Sequence, residues 1–226
     1  MSTRRPPQGG PPLVVLGSIS LALLLAGVGI GVALAGLPPL PFTPGPHVRD
    51  FLAGHHAAVQ TAAVGTFASS IPLAIYAATA SARLRQLGIT APGATIAFAG
   101  GILAAAGLGL CGLLLWTLSR GEVTADEPLT RALYYLVFLT GGAAHVVVLG
   151  LLVAGIAVPA LAVGLLPRPL AWAGLGIAAV AQLTTLVLIW PGLNPLVPLG
   201  RFCALLWLIV AGAMLPLRRR RAPDAR

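Results

Sequence analysis

The 226-residue chain has no lysine and few charged residues of any kind. Charged side chains make up 8% of the sequence, whereas an ordinary soluble domain carries about 25%. Hydrophobic residues reach 58%, and the mean hydropathy is +0.95. This composition excludes an ordinary water-soluble fold and predicts an integral membrane protein.

Cysteine is also scarce, and catalytic motifs are missing. Two cysteines, Cys111 and Cys203, are too few for a disulfide scaffold and lack the spacing of a metal site. They fall at similar predicted depths, so they could meet if their helices touch; otherwise they are two small buried side chains. The sequence has no GxxxxGK[ST], HExxH or GxSxG motif. It therefore favours a non-enzymatic protein.

Six continuous apolar stretches are long enough to cross a bilayer, which takes about 20 helical residues. The predicted spans cover residues 13–36, 53–80, 92–118, 132–158, 169–190 and 198–217. Their continuous apolar character argues against a barrel, whose strands alternate over about 10 residues. We predict an all-α bundle of six transmembrane helices at 13–217. Residues 1–12 form a disordered cytoplasmic tail and residues 218–226 a basic one.

The arginines predict the orientation, because basic residues concentrate on the cytoplasmic side. With the N-terminus inside, that side receives Arg4, Arg5, Arg83, Arg85, Arg168, Arg226 and the run Arg218 to Arg221. Arg49, Arg120, Arg131 and Arg201 are assigned to the outside. Both termini are predicted to be cytoplasmic. The Arg218 to Arg221 cluster is expected to contact anionic lipid headgroups rather than nucleic acid.

The first apolar run has a basic start and an Ala33-Leu34-Ala35 segment that resembles a signal-peptide cleavage site. A signal core has only about 7 to 15 apolar residues, and this run is longer. We therefore expect an uncleaved first helix.

Small residues recur every fourth position in two spans. In membranes, such positions allow helix backbones to approach closely. They predict contact faces within the bundle or between protomers of a homo-oligomer, at Gly27, Gly31 and Ala35 and at Ala97, Gly101, Ala105 and Gly109.

His145 is the only ionisable residue predicted near the middle of a span. It follows Gly141 by four positions and Gly142 by three, so its ring is expected to point into the bundle. It could ligate haem or a metal, relay protons or contact a ligand. A neutral histidine hydrogen-bonded to a neighbouring helix is the alternative interpretation.

Gln60 and Gln182 are predicted at similar levels in the outer leaflet, with Thr185 one turn from Gln182 and His145 deeper in the membrane. If the second, fourth and fifth spans adjoin, these four side chains would line one outward polar pocket. Ordinary hydrogen bonds between helices would explain the same residues.

His55 and His56 begin the second span at the predicted outer interface. Consecutive residues on a helix point in different directions, so a metal site there would need further ligands. Histidines that contact headgroups or water are the alternative interpretation.

Residues 164–175 read GLLPRPLAWAGL. The segment resembles a G-L-L-P-R-x-L-x-W-x-G-L hairpin found in multi-span actinobacterial integral membrane proteins classed as domains of unknown function. The similarity extends over the last three helices, and Pro169 stands where many such proteins carry tryptophan. The resemblance implies a six-span bundle in a bacterial cytoplasmic membrane and implies no activity.

Two functional hypotheses follow. The first is a non-enzymatic accessory subunit, or a small-molecule binding or permeation module that uses the polar pocket and needs no cofactor. The second is a membrane-embedded haem or metal redox protein that uses His145 with His55 or His56.

Overall fold

The computed structural model describes residues 10–43, 46–89 and 92–216. Within these ranges the secondary structure is helical, and six helical stretches are long and apolar enough to cross a membrane. The predicted helical bundle is therefore confirmed at this level. The Arg218 to Arg221 cluster and most of the predicted N-terminal tail lie outside the described residues.

The helices differ in length and regularity. Their bounds are α1 Leu13–Ala35, α2 His47–Gly54, α3 His56–Gln86, α4 Gly93–Leu118, α5 Gly121–Thr124, α6 Glu127–Phe138, α7 His145–Val163, α8 Arg168–Leu183 and α9 Leu196–Met214. A π-helical turn, Leu139–Ala144, joins α6 to α7 and makes them one span. Two 3-10 segments, Thr184–Leu188 and Pro191–Leu193, connect α8 to α9.

Local sequence signals explain where the fourth span begins and ends. Asp126 caps α6 by accepting a 3.0 Å hydrogen bond from the backbone N–H of Leu129, and Pro128 occupies the first turn, where its missing N–H costs nothing. The span therefore starts at Glu127, five residues before the predicted start. At the other end Gly164 adopts a left-handed conformation with φ of 72°, a common helix terminator.

Five spans form a closed ring, and the sixth packs outside it. Around the ring, α1 contacts α3, α3 contacts α4, α4 contacts α7, α7 contacts α9, and α9 returns to α1. Buried side chains from all five of these helices, including Leu16, Tyr76, Leu108, Leu149 and Leu205, belong to one hydrophobic cluster. Helix α8 packs on α7 and α9. The short helices α2 and α5 contact each other at one end of the bundle, which we call the capped end.

The small-residue faces predicted from sequence lie between helices of the same chain. A Cβ atom added at Gly27 would lie 2.6 Å from the Cα atom of Gly65 on α3. One added at Gly101 would overlap the Cβ atom of Ala77 on α3. Side chains larger than hydrogen therefore do not fit at either position.

The two prolines inside spans have local hydrogen-bonding support. Pro72 and Pro159 remain within α3 and α7. The hydroxyls of Ser69 and Ser70 donate to the carbonyls of Thr66 and Phe67, each at 2.7 Å. The serines before Pro72 therefore bind nearby backbone groups.

We expect Gly27→Val to destabilise the bundle by about 1 to 3 kcal/mol, because its side chain would overlap the α3 backbone. Gly29→Val is the matched control, since a Cβ atom there meets nothing within 4 Å. Thermal unfolding in detergent should show a lower midpoint for Gly27→Val only. Equal midpoints for both variants would contradict the packing described here.

Candidate ligand site at the π-helical turn

The fourth span changes its helical pitch near its middle. The π-helical turn has the sequence LTGGAA and lies directly before His145. π-helical turns insert a residue into the α-helical repeat and are frequent at functional sites. Gly141 lets α4 come close, because a Cβ atom at this position would overlap the Sγ atom of Cys111.

His145 is fully buried, and only one of its two ring nitrogens has a hydrogen-bond partner among the described residues. Its Nδ1 atom lies 2.8 Å from the carbonyl oxygen of Ala104 on α4. A carbonyl oxygen only accepts, so Nδ1 carries the hydrogen and Nε2 of the neutral ring is an acceptor. Nε2 is enclosed and has no hydrogen-bond partner among the described residues. His145 therefore points into the bundle, as the sequence predicted.

The half-buried side chain of Arg201 also reaches this interior. The sequence predicts Arg201 among the outer charges and His145 alone inside, and the structure corrects that placement. Instead, the Arg201 Nη2 atom donates a hydrogen bond to the carbonyl oxygen of Gly141. Its Nε atom is enclosed, with no partner among the described residues.

The direction of side chains on a helix explains this placement. Helices α7 and α9 lie side by side, since a Cβ atom at Gly200 would lie 2.9 Å from the side chain of Val146. Helical side chains lean toward the helix N-terminus, so Arg201 reaches back toward Gly141. The signal for this was periodicity: Arg201 stands four residues from both Val197 and Leu205, which are buried.

The charge of Arg201 has no acidic counterpart nearby. Its Nη2 atom binds the carbonyl of Gly141, which lies four residues before His145 and against Cys111. The described acidic residues all belong to α2, α5 or the start of α6, at the capped end, namely Asp50, Glu122, Asp126 and Glu127. A half-buried cation without an acidic partner is costly in a membrane. The site is therefore electrostatically suited to an anion.

The predicted outward pocket is not assembled from its four residues. Gln60 is exposed on α3, which packs mainly on α1 and α4. Gln182 is exposed on α8 and donates a 2.9 Å hydrogen bond to the carbonyl of Val147. Thr185 is exposed on the 3-10 segment, and His145 is buried. Since α3 and α8 pack on different neighbours, these residues share no common lining.

The three histidines proposed as metal ligands are not together either. The Nδ1 atoms of His55 and His56 lie 2.9 Å and 3.0 Å from the carbonyls of Phe51 and Ser119. Ser119 is 15 residues beyond Ala104, the partner of His145, which corresponds to about 22 Å along a helix. One metal ion cannot bind both His56 and His145. In the ranges that the structure covers, no three His, Cys, Asp or Glu side chains could hold a metal ion.

A groove near the capped end approaches the π-helical turn. Its volume is about 200 Å³, and its lining comes mainly from apolar residues of α1, α2, α3 and α6, with Leu115 from α4. Leu115 and Val137 belong to this lining. They stand four residues from Cys111 and Gly141, so the groove passes within one helical turn of the Cys111–Gly141 contact.

The segment after α1 is held against the rim of this groove. The hydroxyl of Tyr134 donates a 2.7 Å hydrogen bond to the carbonyl of Pro39, and Arg131 donates one of 3.2 Å to that of Thr43. The Phe42 ring packs edge-on against Phe138, with centroids 5.3 Å apart. These contacts fix α6 beside the end of α1.

No protein family, curated protein or solved structure matches this chain. Its site is therefore interpreted from its own chemistry.

We expect Gly141→Ala to destabilise the protein by about 1 to 3 kcal/mol, because the added methyl group overlaps the Cys111 side chain. Adding Cys111→Ala removes the sulfur and should recover part of that loss, which a double-mutant cycle of thermal or denaturant unfolding measures.

Gly176→Ala on α8 is the control, because its Cβ atom meets nothing within 4 Å. It should not destabilise the protein and should raise the unfolding free energy by up to about 1 kcal/mol, because alanine has a higher helix propensity than glycine. Strict additivity of Gly141→Ala and Cys111→Ala would show that the two residues do not touch.

Proposed function

We propose that this chain is a non-enzymatic small-molecule binding protein of the bacterial cytoplasmic membrane, and that it holds a polar group of its ligand between His145 and Arg201. One observation carries the proposal: two enclosed nitrogen atoms on residues close to each other, His145 Nε2 and Arg201 Nε, have no hydrogen-bond partner among the described residues. An unpaired buried polar group costs about 1 to 3 kcal/mol, which a bound molecule would recover.

The chemistry of the two atoms supports a ligand with both a donor and an acceptor. Arg201 Nε–H can only donate, whereas His145 Nε2 accepts when the ring is neutral. Both side chains are also held from their other ends, by the carbonyls of Ala104 and Gly141. Their free atoms are therefore fixed in direction before a ligand arrives, which reduces the entropy cost of binding.

The proposed orientation places the capped end outside the cell. The described arginines divide evenly, with Arg83, Arg85 and Arg168 at the opposite end of the spans and Arg49, Arg120 and Arg131 at the capped end. The orientation therefore rests on the arginines that the sequence places before the first span and after the last, Arg4, Arg5 and Arg218 to Arg221, because basic residues prefer the cytoplasmic side. This placement supports cytoplasmic termini and a ligand site approached from the outer leaflet.

Cysteine labelling in intact cells tests this orientation. In a background with Cys111→Ala and Cys203→Ala, we expect a membrane-impermeant maleimide to label Glu122→Cys. Arg85→Cys should react only after the cells are permeabilised. Labelling of Arg85→Cys alone in intact cells would reverse the orientation.

Native mass spectrometry of protein extracted from its own membrane tests binding. We expect a bound small molecule on the wild type and on Arg85→Gln, a control that changes an exposed arginine distant from the site. Occupancy should fall on Arg201→Gln and His145→Leu, because each removes one of the proposed contacts. The same bound mass at equal occupancy on all four proteins would refute binding at this site.

A further inference from the structure

We infer that the molecule bound between His145 and Arg201 is a small hydroxycarboxylate, an anion with one negative charge and one hydroxyl group. The inference rests on the proposed function and specifies the class of ligand. It depends on three features of the site: the hydrogen-bonding role of each free nitrogen atom, the charge of Arg201, and the close packing of α4 against the π-helical turn.

The two free nitrogen atoms belong to side chains that begin at neighbouring positions. Helices α9 and α7 come together at Gly200 and Val146, since a Cβ atom at Gly200 would lie 2.9 Å from the Val146 side chain. The next residue on α9 is Arg201, and the residue before Val146 is His145. The Arg201 guanidinium bonds the carbonyl of Gly141, one helical turn before His145. One small molecule can therefore contact both side chains.

Close packing limits the ligand to a few atoms. On the α4 side, a Cβ atom at Gly107 would lie 3.1 Å from the carbonyl oxygen of Thr140 and 3.8 Å from the Cβ atom of His145. The groove at the capped end shares no lining residue with the site and is not part of it. Access remains along Arg201, which is half-buried and stands five residues, about 8 Å, from the start of α9.

A carboxylate and a hydroxyl group match the two nitrogen atoms. A carboxylate oxygen accepts a hydrogen bond from Arg201 Nε–H, and a hydroxyl group on the same molecule donates its hydrogen to His145 Nε2. A carboxylate without a hydroxyl group would direct a lone pair at Nε2, which is itself an acceptor. Such an anion would have to bring a proton with it, and that proton would place a second positive charge beside Arg201 in an apolar interior.

The charge of Arg201 separates this anion from water, an alcohol or a doubly charged phosphate. A water molecule could bridge both nitrogen atoms, but water and alcohols are neutral and would leave the guanidinium without a counter-charge, since the described acidic residues lie at the capped end. A hydroxycarboxylate supplies one negative charge in a charge-assisted hydrogen bond. A doubly charged phosphate would add a second negative charge that has no partner.

The test is calorimetric titration of nanodisc-embedded protein with three probes of similar size, with empty nanodiscs subtracted. Glycolate has both the carboxylate and the hydroxyl group. Acetate lacks the hydroxyl group, and glycolamide has a neutral amide in place of the carboxylate. We expect saturable one-to-one binding of glycolate and at least about tenfold weaker binding of the other two probes, because each lacks one of the proposed contacts.

Two variants assign the contacts. Arg201→Gln should weaken glycolate binding by about tenfold or more, because it removes the charge that pairs with the carboxylate. His145→Leu should abolish the preference for glycolate over acetate, since the hydroxyl group then has no acceptor. The control Arg85→Gln, which changes an exposed arginine, should keep both the affinity and the preference. If a variant does not fold, the three probes still test the inference on the wild type.

The outcomes separate this inference from the proposed function. Acetate binding that is as strong as glycolate binding and depends on Arg201 would overturn the hydroxyl group and leave the binding site standing. Glycolamide binding as strong as glycolate binding would overturn the charge. If no probe binds, but a co-purified molecule depends on Arg201, only the inference falls. If no such molecule is found either, the inference and the proposed function both fall.

Discussion

The hydrogen bond from a buried polar side chain to the backbone carbonyl of a neighbouring helix is the interaction on which this bundle depends. A helical carbonyl oxygen already bonded within its helix retains a second lone pair, and lipid offers a polar side chain no other partner. Four such bonds join different helices: Ser20 to Ser69, Tyr76 to Leu208, Ser81 to Ala94 and Trp207 to Leu170. They form because glycine and alanine bring the helix backbones within reach of short side chains.

The proposed site is a variation on the same interaction. His145 and Arg201 also bind carbonyls of neighbouring segments, those of Ala104 and Gly141. Unlike serine or tyrosine, each has a second polar nitrogen that remains unpaired after the first bond has formed. The residues of the candidate site therefore differ from the structural polar residues in one respect: each of their side chains has a further nitrogen atom that can form a hydrogen bond. The π-helical turn matters because it presents the Gly141 carbonyl to Arg201 and places His145 beside α4.

The architecture was largely predictable, because long apolar runs and fourfold spacing of small residues depend only on local sequence. The six spans and the contact faces containing Gly27 and Gly101 follow from such patterns. Of the two residues of the candidate site, one could be predicted from the sequence. His145 stands out as a histidine inside an apolar run, but Arg201 lies near a predicted span end, where arginine is ordinary. Its spacing from Val197 and Leu205 is a periodicity signal, but only the register of α9 against α7 shows that this face turns inward, and nothing in the sequence predicts the change of pitch at Leu139–Ala144.

The position of α9 in the ring also bears on how the chain assembles. The contact between α1 and α9 closes the ring, yet these are the first and last of the six described spans. During synthesis α1 must therefore remain beside α3, with one flank facing lipid, until the remaining spans have entered the membrane. Arg201 arrives with that last segment and meets the Gly141 carbonyl only then. The interior thus acquires its positive charge in the same step that shields it from lipid.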